Sequence, residues 1–253
     1  MVFIRAPAMS PAPVACIVTE RKIMNDRYTS MRNGSLRARS ATTVIDGNAQ
    51  RVLRNTYLLL SLTLGFSAIM AGMAAALHLP HPGLILTMVG YFGLLYLVNK
   101  NRDRGLGIAF VFALTGFMGY TLGPVIGHYL NMPNGGQIVM TALGGTAAIF
   151  LGLSGYALVT KRDLSFMGGF LTVGILVAFL AGLAAIFFQI PALSLTVSAV
   201  FVLLMSGMIL FETNNIVRGG ETNYVMATLS LFVSIFNLFT SLLHLLGFAS
   251  SND

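Results

Sequence analysis

The chain alternates long apolar blocks with short charged connectors. No Asp, Glu, Lys or Arg occurs in residues 55–99, 105–160, 164–211 or 222–252, and each block exceeds the roughly 20 residues that cross a bilayer core. The first is broken by His78, Pro80, His81, Pro82 and Gly83, which favour a tight turn over a continuous helix. It therefore holds two spans, about 57–79 and 83–99. Asn131, Pro133, Asn134, Gly135 and Gly136 divide the second block into 105–130 and 137–159, and Gln189 and Pro191 divide the third into 166–188 and 193–217. The last block supplies one span, 222–248. The pattern predicts an all-α integral membrane protein with seven transmembrane helices, arranged as three hairpins around a central seventh helix. Residues 1–56 read as a basic cytoplasmic tail, disordered or loosely helical, 57–248 as the transmembrane domain and 249–253 as an external carboxyl end.

Composition agrees with a lipid solvent. The chain is 56% hydrophobic and 9% charged with mean hydropathy +0.81, against about a quarter charged in an ordinary soluble domain. The net charge of +7 does not point to nucleic acid, because the cations are distributed as a topology signal. Nine of the fifteen Lys and Arg residues precede Tyr57, and the others are Lys100, Arg102, Arg104, Lys161, Arg162 and Arg218. The connectors His78–Gly83, Asn131–Gln137 and Gln189–Ala192 and the carboxyl end contain none. All fifteen cations thus fall on one side, which the positive-inside rule places in the cytoplasm. The apolar stretch after Arg5 is too interrupted by Pro7, Pro11 and Pro13 for a secretory signal. A single cysteine, Cys16, excludes an intrachain disulfide and a multi-thiolate zinc cage.

Small residues at four-residue spacing, Gly119, Gly123 and Gly127 on the third span and Ala178 and Gly182 on the fifth, predict close helix contacts. Ser230, Ser234, Asn237, Ser241 and His244 lie on one face of the seventh span, so this helix should turn its polar stripe into the bundle. Glu212 is the one acid inside a predicted span, roughly 7 Å from the charged end at helical rise. A carboxylate there costs on the order of 2–3 kcal/mol on insertion scales, which makes Glu212 the first functional candidate. Asn215, one turn away, offers it a partner, and the competing reading is an acid that only fixes packing.

Gly152, Leu153, Ser154 and Gly155 resemble the nucleophile motif of rhomboid intramembrane proteases. The base is missing: His128 and His244 lie toward the opposite ends of their spans, roughly 15–20 Å away along the axis, whereas proton sharing needs about 3 Å. Small-residue packing is the expected explanation of the motif. His78 and His81 share a turn but lack a third metal ligand. No catalytic group, metal or cofactor is expected.

The segments ILFETNNIVRGGETNY (209–224), SLFVSIFNLFTSLL (230–243), TGFMGYTLGP (115–124) and KRDLSFMGG (161–169) occur in order and resemble the Bax inhibitor-1 family, most closely its bacterial YccA-like branch. The similarity runs from Arg51 to the carboxyl end. It implies a seven-helix fold with a central last helix and two activities of different classes. One is binding to, and modulation of, a membrane-anchored FtsH-type AAA+ protease in membrane-protein quality control. The other is a pH-sensitive calcium leak, in which acids on the sixth and seventh helices share a proton. Glu212 matches the first acid, and the second falls on Ser234, so a two-carboxylate sensor cannot form. The expected function is therefore an inner-membrane, non-enzymatic protease modulator with the lipid bilayer and the protease complex as partners. The alternative is a Ca2+ or cation leak gated at Glu212, with Asn215, Ser234 and Asn237 as sensing candidates and Lys100, Arg102 or Arg104 as the closing cation.

Overall fold

The structure is a computed structural model that describes residues 47–160 and 162–251. The tail before Gly47, with Cys16, as well as Lys161 and the last two residues, lie outside the described residues. Every regular element described is an α-helix: α1 Gly47–Ala76, α2 Leu84–Asn101, α3 Gly105–Leu130, α4 Gly135–Val159, α5 Met167–Phe187, α6 Pro191–Val217 and α7 Tyr224–Ser251. All seven are long and apolar enough to cross a membrane. The chain is an all-α integral membrane protein.

Breaks fall where the turn residues stand. His78, Gly83, Asn134 and Gln189 adopt positive φ at the turns, and Pro191 occupies the first turn of α6, where a missing N–H costs nothing. The α1–α2 turn is tied to α3 by the Tyr120 hydroxyl, which donates to the Pro80 carbonyl at 2.9 Å. Helix α1 begins well before the expected Tyr57. The expectation tracked hydropathy, whereas Gln50, Arg51, Arg54 and Asn55 are helix-compatible and continue the backbone beyond the apolar stretch.

Helix α7 packs against α1, α3, α4 and α6, and half of its apolar span is buried. In α2 the share is 6%, and its one substantial neighbour is α3. The third hairpin packs helix to helix, α5 on α6, whereas in the first α1 packs chiefly on α3 rather than α2. Two small residues permit this contact: a side chain at Gly119 would strike the Ser67 carbonyl, and one at Gly123 would strike Ala74. Gly127 faces open space. On α5, Ala178 is buried and Gly182 lies against Val197 of α6. The core around Phe232, Leu60, Leu114, Ile209 and Ile216 gathers on α7, and a second cluster of Ala71, Leu122, Ala142, Phe239 and Leu243 lies farther along it.

Candidate functional site: the polar end of helices α6 and α7

The connectors α2–α3, α4–α5 and α6–α7 share the end of the bundle that carries Lys100, Arg102, Arg104, Arg162 and Arg218. Helix α6 stops there in a Schellman motif. Gly219 takes φ 74°, its amide donates to the Ile216 carbonyl at 3.0 Å, and the Gly220 amide donates to the Asn215 carbonyl at 2.9 Å.

Two asparagines fasten this segment to the other connectors. Asn214, 2% exposed, accepts from the Leu164 amide at 3.4 Å and donates to the Arg162 carbonyl at 3.3 Å, holding the α4–α5 connector. Asn223 caps α7, its Oδ1 accepting from the Val225 amide at 2.9 Å and the Met226 amide at 3.3 Å. Its Nδ2 donates to Asp103 at 2.9 Å and to the Arg102 carbonyl at 3.2 Å, holding the α2–α3 connector. Within the α4–α5 connector, Asp163 accepts from the Ser165 hydroxyl at 2.6 Å and its amide at 2.9 Å. These bonds, with a weaker pull from Arg218, hold the Asp163 carboxyl below its usual range.

Glu212 is half-buried on α6, with the Ser230 hydroxyl of α7 and the carboxylate of Glu221 in its neighbourhood. Ser234 is buried and donates to the Ser230 carbonyl at 2.9 Å, and Asn237 likewise donates to the Val233 carbonyl at 2.8 Å. The polar stripe of α7 therefore satisfies much of itself on its own helix. Asn215 makes its hydrogen bonds through its main-chain carbonyl, to the amides of Gly220 and, at 3.4 Å, Glu221. Of the suggested closing cations, Lys100 sits 6.0 Å from the Tyr96 ring centroid, Arg102 pairs with Asp103 at 3.6 Å, and Arg104 precedes α3 as its cap residue.

Behind Glu212 the core is lined with hydroxyls. Ser154 of α4 and Thr213 of α6 approach to 3.4 Å, and the Thr228 hydroxyl reaches the Thr56 carbonyl at 3.3 Å. The Thr56 and Tyr57 hydroxyls are buried without a hydrogen-bond partner among the described residues. Ser154 thus meets a threonine, while His244 pairs with Ser198 at 2.8 Å. The glycines around Ser154 correct one expectation. Gly152 and Gly155 face open space, so close packing within the bundle does not explain this motif. His81 Nδ1 accepts from the Gly83 amide at 3.0 Å, a turn bond rather than metal ligation.

Sequence reasoning missed Asn214, Asn223 and Asp103. The signal for the two asparagines was the repeated Glu-Thr-Asn at 212–214 and 221–223, two helix ends written with the same capping-competent residues.

The sequence profile described as "Inhibitor of apoptosis-promoting Bax1" matches residues 49–252, which include all these residues. The chain belongs to the Bax inhibitor-1 family. It is 56% identical over 203 residues to "Modulator of FtsH protease YccA" of Escherichia coli K12, covering 80% of this chain and 92% of that protein. The same identity and coverage hold for "Inner membrane protein YccA" of E. coli O6:H1. An uncharacterized protein of Pseudomonas aeruginosa is 50% identical over 202 residues, 80% of this chain and 91% of that protein.

Proposed function

We propose that this protein is an inner-membrane modulator of an FtsH-type membrane AAA+ protease, a binding protein rather than an enzyme. The observation that carries the reading is the 56% identity, across the helical domain, to a protein named for that role. In this reading the basic end faces the cytoplasm, the amino terminus is cytoplasmic and the carboxyl terminus external, in accord with the one-sided cations. The network of Asn214 and Asn223 then presents one braced cytoplasmic surface to the protease. The calcium leak has weaker support, because the residue at the second acid position is a buried serine bonded to its own helix.

The test uses tagged full-length protein in bacterial inner membranes. Co-purification of the FtsH-type protease, together with a changed half-life of one of its membrane substrates when this protein is overproduced, is the expected result. A protein that inserts normally but neither retains the protease nor alters that half-life would overturn the proposal.

A further inference from the structure

Helix α2 is the least covered span, and its open face is not uniform. Ile85, Val89, Phe92 and Tyr96 recur at helical spacing on one side and are 81%, 66%, 53% and 63% exposed. The stripe leads to a pocket of about 530 Å³ lined by Tyr96, Asn99, Lys100, Arg102 and Asp103. From Ile85 to Tyr96 the stripe rises roughly 16 Å at 1.5 Å per residue, about half of a hydrocarbon core. An apolar track one leaflet long that ends in a polar pocket has the proportions of a single phospholipid.

The charge of the pocket selects the headgroup. Lys100 and Arg102 bring two cations and Asp103 one carboxylate, and that carboxylate is already engaged by Arg102 at 3.6 Å and by the Asn223 amide nitrogen at 2.9 Å. The Lys100 ammonium stands over the Tyr96 ring at 6.0 Å, at the level where an aromatic ring meets the headgroup layer. An excess cation beside amide and guanidinium donors suits a phosphodiester with no compensating ammonium. We propose that this face of α2 binds an anionic phospholipid, with its acyl chain along Ile85, Val89 and Phe92 and its phosphate at Lys100 and Arg102. Through Asn223, the same connector reaches the cap of the central helix, so the lipid would sit against the brace of α7.

The chain contains no tryptophan, so Phe92→Trp gives a unique fluorophore on the track. The full-length variant is reconstituted in vesicles in which brominated phosphatidylglycerol or brominated phosphatidylcholine replaces part of the host lipid. Quenching should show a preference for phosphatidylglycerol of about five-fold, the scale set by one excess surface cation. It should fall to near parity when Lys100→Gln and Arg102→Gln are added, and persist with Lys100→Arg and Arg102→Lys. It should also persist with Arg51→Gln and Arg54→Gln, which remove equal charge from α1. Soluble glycerol 3-phosphate should not relieve it. Equal quenching by both lipids, or equal loss in the α1 and α2 charge variants, would reject a specific headgroup site. Absence of quenching would mean that protein covers the face, and relief by glycerol phosphate would assign the pocket to a soluble phosphate; either overturns the lipid proposal.

Discussion

Asn214 and Asn215 are adjacent, yet only Asn214 uses its side chain to hold the α4–α5 connector against α6. Burial of an amide that loses its partners costs about 1–3 kcal/mol, and Asn214→Ala should lower thermal stability in detergent by about that amount. Asn215→Ala should cost less, because the bonds to Gly220 and Glu221 come from its main-chain carbonyl. Equal losses would show that the amide brace contributes nothing particular. The sequence marked Glu212 by its charge in an apolar block, but it paired the acid with Asn215, on its own helix, because only intrahelical spacing can be read from one chain. The structure sets Ser230 of α7 near it, across the α6–α7 contact. Ser234→Asp places a second carboxylate one helical turn from Ser230, and two carboxylates supply the hard oxygens that a divalent cation prefers. This variant should gain pH-dependent calcium flux in dye-loaded liposomes over the parent, and Glu212→Gln should abolish the gain. A parent that already leaks in a pH-dependent way removed by Glu212→Gln would promote the channel reading over the protease one.

Hydropathy located all seven helices because a charge in the bilayer core is expensive and a turn needs special residues. It did not locate helix ends that lie beyond the apolar zone, as at α1, nor the neighbours of each helix. Glycine spacing was informative only in part: Gly119 and Gly123 meet α1, while Gly127, at the same spacing, meets nothing. The register accounts for this, since Gly119 meets Ser67 and Gly123 meets Ala71 and Ala74, so the next turn of α3 runs past Ala76, where α1 ends. Gly119→Ala should therefore destabilise the α1–α3 contact by about 1–3 kcal/mol, as overpacking generally does. Gly127→Ala should be neutral or slightly stabilising, because alanine is the better helix former by about 1 kcal/mol. Unfolding in detergent titrations would report both, and equal effects would contradict the assigned packing.

At the scale of the whole molecule, the one-sided cations and the odd number of spans make a single prediction about sidedness. Reporter fusions after Asn101 and Asp163 should behave as cytoplasmic and fusions after Asn134 and Asp253 as external. A cytoplasmic carboxyl end would break the proposed orientation. The tail enters at the same scale, because nine cations precede Tyr57 and the first uncharged block begins only after Arg54. Residues 1–23 contain three of those nine, Arg5, Arg21 and Lys22, so their deletion should leave insertion unchanged. Deletion through Thr43 removes seven yet keeps Arg51 and Arg54, which lie exposed in the first turns of α1 and suffice to hold its end at the basic side. The two deletions therefore separate anchoring from protease engagement. A protease that threads its substrates must begin on an accessible chain segment, and exposed termini are the usual place. If the tail is the handle by which the protease takes hold, the longer deletion should slow the protein's own turnover while the bundle stays inserted and stable. Pulse-chase in cells that contain the protease measures this directly. Unchanged turnover with intact insertion would remove the tail from the interaction and leave the surface braced by Asn214 and Asn223 as the contact to test next.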